Sequence, residues 1–375
     1  MPFAHAMRIL FINSIQMFGG GEIWMLRTLR ALQDRGHQVW LCCRPGAEVG
    51  KRALEAGIAV EYLKFGGDFD PRTIFKLTRF MKRAHIEIVL TNMDKELRLG
   101  GMAAKLAGVP VVIPRRGIDY PLKNRWRYRW AYNVLAARIM ANSQATKRAL
   151  LRNAPWLDAD RIEVIYNGIE AEPFMQPSPR DFRTEWRVKP EELVLGFVGQ
   201  LDERKGIRVL LAAFQRIKRE WPQTRLVFVG HGPLRELIVD EIDKQRWGEA
   251  VLIPGFLDDI AGVMQALDIL LLPSYWEGFG IVLIEAMAAG KPAISTDTSS
   301  MPEIIVDGQT GFVVPPGDVE ALADRVIQLL RDAALREKFG RAARQRVLEK
   351  FTQQRMIAEL ENFFQRALLH RRPPS

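Results

Sequence analysis

Runs of Val, Ile and Leu recur along the chain at 8–14, 38–43, 59–65, 87–92, 110–114, 139–143 and 163–166. Apolar residues at successive positions suit strands covered on both faces, the condition of a parallel sheet. Amphipathic stretches at 20–35, 71–84, 95–107, 124–137 and 144–152 fall between several of them and read as helices. A second series of strands is predicted at 193–198, 225–229, 251–253, 269–272, 292–295 and 312–314, with helices between them and amphipathic helices from Val319 onward. Such alternation implies right-handed crossovers and a doubly wound sheet in each half. The pattern breaks over 172–192, where Pro173, Pro177, Pro179 and Pro190 stand among charged residues. That stretch reads as a linker. The fold class is therefore α/β, with two doubly wound domains facing a central cleft. The expected domains are 1–172 and 193–350, joined by the linker 173–192, with a C-terminal helix and tail over 351–375. Ligands of such sheets bind outside the carboxyl ends of the strands.

Composition narrows the class. The chain has 375 residues, 48% of them hydrophobic and 26% charged, as in ordinary globular proteins. Its longest apolar runs, 269–273 and 281–290, are too short to span a bilayer. The opening MPFAHAM leads into RILFINS without a long apolar stretch, so no secretory leader is expected. Cys42 and Cys43 are adjacent in a strand and point to opposite faces, so no bridge is expected and the chain reads as intracellular. The net charge of +10 is uneven. Residues 1–170 hold 27 Lys and Arg against 15 Asp and Glu, whereas the remainder holds 27 against 29. The first half should face something anionic. Its densest stretch, 115–138, has seven basic residues and one acidic residue, Asp119, interleaved with Tyr120, Trp126, Tyr128, Trp130 and Tyr132.

Two segments carry candidate chemistry. The first strand runs into Phe18-Gly19-Gly20-Gly21-Glu22 and a helix. Glycines there let a backbone approach a ligand, and a helix start offers N–H groups to an anion. The spacing is not that of a dinucleotide fingerprint. The second segment is PSYWEGFGIVLIEAMAAGK, 273–291, in which a glycine turn precedes a helix apolar on all sides except for Glu285. A glutamate in such a helix is expected to be buried, and a buried carboxylate needs a basic partner or a ligand rich in donors. A ribose diol would suit it. Glu277 lies eight residues earlier, on the loop.

The spacing Glu277-x7-Glu285 within EGFGIVLIEAMAAGKPAIST resembles the nucleotide-sugar site of GT-B glycosyltransferases, family 4 in particular. FGGGE, ANSQATKRALL, VIYNGIE, VGQLDERKG, LVFVGHGPL and MPEIIVDGQTGFVVPPGD look like further landmarks of that family, in its order, over roughly residues 8–350. The resemblance implies two Rossmann-like domains, with the acceptor on the N-terminal one and the donor on the C-terminal one. It also implies a last helix crossing back to the N-terminal domain, and transfer with retention and without a metal or other cofactor. Carried over, Glu285 would bind the donor ribose, and Glu277, as a catalytic group, would contact the sugar hydroxyls. Backbone N–H groups of Phe279, Gly280 and Ile281 would meet sugar and phosphates. Lys205 would hold the diphosphate, and Gly20 and Gly21 would approach it.

Two positions depart from the family pattern. Gln200 stands where many members have arginine, and Arg204 is the nearby cation that could replace it. Pro114-Arg115-Arg116-Gly117-Ile118-Asp119 stands where many have a histidine near the reacting sugar. Arg116 or Asp119 is expected to fill that space as a catalytic group, with Asp94, Lys95 and Arg115 on the acceptor side. The five histidines show no metal-ligand spacing. The expected partners are a nucleotide-sugar donor and a lipid-linked, phosphorylated or saccharide acceptor, in cell-envelope glycan synthesis such as lipopolysaccharide core or surface polysaccharide. The expected location is cytoplasmic, at the inner face of an anionic membrane. Nucleic acid is not expected. The rival readings are a nucleotide-sugar epimerase of the same fold and a protein that binds RNA or anionic lipid.

Overall fold

The computed structural model describes residues 6–369. The opening residues, read as carrying no leader, and the tail from residue 370 lie outside the described residues. The chain divides into two compact units. One comprises the chain up to Tyr166 together with the segment from Arg355, and the other is Asn167–Gln354.

The first unit holds seven strands: β1 (Arg8–Asn13), β2 (Gln38–Cys43), β3 (Ala59–Tyr62), β4 (Ile88–Thr91), β5 (Val111–Arg116), β6 (Ile139–Ala141) and β7 (Ile162–Val164), in the order β3-β2-β1-β4-β5-β6-β7. All pairs are parallel. The two-residue period of a strand sorts its side chains into two layers. Leu10, Ile12, Cys42, Val89 and Val112 lie in one layer, and Ile9, Phe11, Leu41, Cys43, Ile88 and Ile113 in the other. Cys42 and Cys43 are free and buried on opposite faces, and burial pushes the Cys43 thiol up to about 11. The second unit repeats the plan with β8 (Leu193–Val198), β9 (Thr224–Val229), β10 (Val251–Gly255), β11 (Ile269–Leu272), β12 (Ala293–Thr296) and β13 (Gly311–Val314), ordered β10-β9-β8-β11-β12-β13. Strand order reverses at β1/β4 in one unit and at β8/β11 in the other, and ligands of such sheets bind outside the carboxyl ends of the strands at these switch points.

Three readings need correction. The stretch 172–192 is not a free linker but part of the second unit. It forms the short helices Glu172–Met175 and Phe182–Glu185 and buries Phe174, Phe182 and Trp186. Arg183 donates to Asp268 Oδ2 at 3.0 Å and to the Ala266 carbonyl. The aromatic anchors of the stretch stand eight and four residues apart, but Pro177 and Pro179 break the helical period between the first two. The helix expected over 124–137 is α-helical only at Trp126–Trp130 and then widens into a π-turn at Ala131–Leu135, with Tyr128 and Tyr132 inward. A helix at Glu48–Glu55, not anticipated, buries Val49, Gly50 and Ala53.

The last helix, Gln353–Leu369, completes the first unit, in line with the expectation that it crosses back. Met356, Leu360, Phe363, Phe364 and Ala367 recur at helical spacing and join Phe11, Trp24 and Leu29 in one layer. Trp24 Nε1 donates to Met356 Sδ at 3.2 Å. Glu361, fully buried, accepts from Arg35 Nε at 2.7 Å and from His37 Nε2 at 3.0 Å; His37 Nδ1 accepts from the Met7 N–H, which leaves the ring proton on Nε2. Truncating Phe364 to alanine leaves a cavity in this layer, with an expected loss of about 3–5 kcal/mol from the first unit's stability. Denaturant titration followed by tryptophan fluorescence would measure it, and a loss below ~1 kcal/mol would show that the helix is not part of the core.

Candidate functional site

In the second unit the loops after β8 and β11 are locked together. The loop after β8 closes with a single turn of 3-10 helix, Glu203–Lys205, and Gly206 follows at φ 69°. A Cβ at Gly206 would stand 2.0 Å from the Pro273 carbonyl oxygen, so only glycine lets the two loops approach. The Tyr275 N–H donates to the Arg204 carbonyl at 2.8 Å. Glu277, only 5% exposed, accepts from Lys205 Nζ and from Ser274 Oγ at 3.0 Å. Lys205, 9% exposed, is thus a buried partner and not the surface lysine that its charged turn DERK suggests. The Glu277 N–H donates to Ser299 Oγ at 3.2 Å, and Ser300 Oγ donates to the Phe279 carbonyl at 2.9 Å.

Gly280, at φ 82°, caps the helix Ile281–Ala288. Leu283, Ile284, Ala286 and Met287 are buried, while Ile281 and Glu285 are half-buried. Glu285 therefore departs from the expectation of a buried carboxylate. The helix has two turns, and its apolar composition packs one side while leaving the other partly open. Arg204 lies 5.3 Å above the Trp276 ring and pairs with Asp202 at 3.3 Å; Gln200 is exposed.

In the first unit the glycine loop turns on Glu22, which the sequence reading quoted but gave no role. Its carboxylate accepts from Asn13 Nδ2 at 2.9 Å and from the Gly19 N–H at 3.0 Å. Gly20 and Gly21 are exposed, and a Cβ at either would meet nothing within 4 Å. Arg115, at the end of β5, is buried with its guanidinium 3.6 Å from the Trp24 ring centre. Burial pulls it down to about 9, with the Glu22 charge acting in the other direction. Arg116 turns to the opposite face and donates to Asp94 Oδ1 at 3.0 Å, an oxygen that also accepts from Tyr132 Oη at 2.8 Å. Lys95 and Asp119 are half-buried. The structure thus joins Arg116 with Asp94 and Lys205 with Glu277, and sets Arg115 apart on Trp24.

The description "Glycosyl transferases group 1" matches residues 179–346, and "Glycosyltransferase Family 4" matches residues 18–173. The chain belongs to the family 4-like GT-B glycosyltransferases. It is 31% identical over 203 residues to N-acetyl-alpha-D-glucosaminyl L-malate synthase of Bacillus anthracis, a match covering 54% of this chain and 53% of that one. The chain thus spans about half the length of that curated relative. It is 27% identical to the capsular polysaccharide biosynthesis glycosyltransferase CapM of Staphylococcus aureus, over 79% of this chain and 80% of that one. In fold it matches the Anabaena protein HepE solved with UDP, at TM-score 0.85 and 22% identity, over 96% of this chain and 100% of that one.

For this glycosyltransferase-family chain, sequence reasoning missed Ser274, Ser299, Tyr132, Trp24 and Glu96. Ser274-x-x-Glu277 has the spacing of a reciprocal turn and was findable; Ser299, at φ 52°, left no signal. Glu96, fully buried, accepts from the N–H groups of Ser14, Asn92 and Met93 and from Ser14 Oγ, tying the loop after β1 to the loop after β4. Burial pushes it up to about 7 against those hydrogen bonds. The folded chain then holds a proton that the unfolded chain has lost, so stability is highest below the unfolded pKa and falls as pH rises from about 5 to 8. The expected loss is on the order of a few kcal/mol, read from denaturation midpoints across that range; a Glu96→Gln variant should lack the slope. For the second unit, Lys205→Met strands a buried carboxylate and is expected to cost about 3–5 kcal/mol, whereas adding Glu277→Gln to it should recover most of that loss, with Glu277→Gln alone completing the cycle. Additive losses in that double-mutant cycle would show that the pair is not coupled.

Proposed function

We propose that this chain transfers a sugar from a nucleotide-diphosphate donor to an acceptor hydroxyl, with retention of anomeric configuration and without a metal. The observation that carries the reading is the Lys205–Glu277 pair, buried at the β8/β11 switch point beside the glycine-capped start of the helix Ile281–Ala288. A departing nucleoside diphosphate gathers negative charge, which a fixed cation and helix-start N–H groups stabilise without reorganising. Lys205, with Arg204 beside it, meets the diphosphate; the N–H groups of Phe279, Gly280 and Ile281 meet phosphate and sugar. Glu277 accepts from the sugar hydroxyls and Glu285, on the open side of its helix, from the ribose. While no donor is bound, Lys205 and Glu277 hold each other in place.

On the first unit, Gly20 and Gly21 leave open space at a helix start suited to an anion, and Asp94, Lys95, Arg116 and Asp119 form the acceptor side, from which the buried Arg115, stacked on Trp24, is set apart. Arg116 and Asp119 are the groups proposed to act on the reacting centre. The capsular relative supports an envelope-glycan setting, and the UDP complex of the fold neighbour supports a nucleotide-linked donor. The basic first half supports a phosphorylated or lipid-linked acceptor presented at the inner face of a membrane; among the described residues no helix is long and apolar enough to cross one.

A thermal-shift panel of UDP, GDP and ADP with their sugars tests the donor reading, since a ligand of the folded state raises the apparent melting temperature. One nucleotide is expected to stabilise the chain. Glu285→Ala should then weaken its binding by about 10–100-fold, the worth of a charge-assisted hydrogen bond. No shift with any nucleotide, or unchanged affinity in Glu285→Ala, would refute the assignment.

A further inference from the structure

The segment after β5 carries large apolar side chains in water. Ile118, Tyr120 and Trp126 are 41%, 56% and 72% exposed. Lys123, Arg125 and Arg129 are exposed among them, and residues 117–130 hold four basic residues and one acidic. Helix geometry explains the sorting. Tyr128 and Tyr132, one turn apart, take the buried side, which leaves Trp126 and Arg129 to face out.

The patch continues onto the loop after β3. Phe69 is 44% exposed, and its ring lies 6.2 Å from that of Trp130. The neighbouring Asp68 accepts from Arg98 Nη2 at 2.9 Å, and its other oxygen is 3.9 Å from Arg127 Nη1. Arg98 is 4% exposed, and its Nε and Nη1 have no hydrogen-bond partner among the described residues; the same holds for Arg127 Nε. Two guanidinium groups thus share one carboxylate beside an exposed apolar rim, with donors left over. The proposed transfer chemistry uses none of these side chains.

We propose that Ile118, Tyr120 and Trp126, together with Phe69, form an insertion face for an anionic bilayer, with Lys123, Arg125 and Arg129 on the lipid phosphates. Tryptophan and tyrosine settle where apolar rings meet a polar boundary, and each nearby base adds attraction to an anionic surface. The same bases would suit RNA. Ile118 decides against it, since an exposed aliphatic group gains from acyl chains and has no ring to stack on a base. The inference deepens the proposed membrane-side acceptor but concerns the first unit alone, so it stands or falls separately from donor binding.

Flotation of the full chain with vesicles of phosphatidylcholine containing about a third phosphatidylglycerol tests it. The wild-type chain should float with these vesicles and not with pure phosphatidylcholine. Removing two bases in Arg125→Ala/Arg129→Ala should weaken binding roughly 10–30-fold, and Tyr120→Ser/Trp126→Ser by roughly tenfold or more. The nucleotide thermal shift serves as control, because both double variants should keep it. Equal binding to neutral vesicles, wild-type binding by both double variants, or tight binding to single-stranded RNA with none to vesicles would overturn the proposal. Loss of the nucleotide shift with vesicle binding intact would instead count against the donor reading.

Discussion

A lysine and a glutamate taken out of water together govern the second unit. Lys205 and Glu277 come from loops 72 residues apart in sequence, and each ion would be costly to bury alone. Their pairing requires the loops after β8 and β11 to touch, and the touching requires a residue without a side chain at Gly206. The result is a rigid cation and a rigid acceptor at the place where a parallel sheet opens.

The first unit solves a similar problem with different residues. Its switch-point loops are tied by Glu96 and its glycine loop by Glu22, both inside the protein. Arginines follow on β5, one stacked on Trp24 and the next pointing to Asp94, because successive strand residues face opposite ways. Adjacent arginines therefore serve separate environments. Positive charge that composition shows only as an excess is divided by the sheet into a stacked group, a paired group and an exposed group.

Much of this was legible in the residues. Continuous Val, Ile and Leu runs marked the strands because both faces are covered, and the ordered landmarks located the glycine-capped helix and Lys205. What was misread has a physical cause in each instance. Phe174, Phe182 and Trp186 anchor the proline-rich stretch, but Pro177 and Pro179 interrupt the helical period between them, so it looked like a tether. Glu285 looked buried because an eight-residue apolar helix has no polar residues to mark its open side. Tyr132 and Trp24 lie on helical segments that meet the arginines of β5 in the fold, and no local pattern records which side chains such packing brings together. The five-residue π-turn that aims Tyr132 inward is likewise invisible to a 3.6-residue period.

The last helix has a consequence for how the chain comes into being. Met356, Leu360 and Phe364 fill a layer whose other walls are made of the earliest strands, so that layer stays open until the segment from Arg355 has been translated. Asn167–Gln354 is complete before that segment appears. On the ribosome the middle of the chain would thus mature before its beginning, with Phe11 and Trp24 waiting, uncovered, for a segment more than 300 residues downstream.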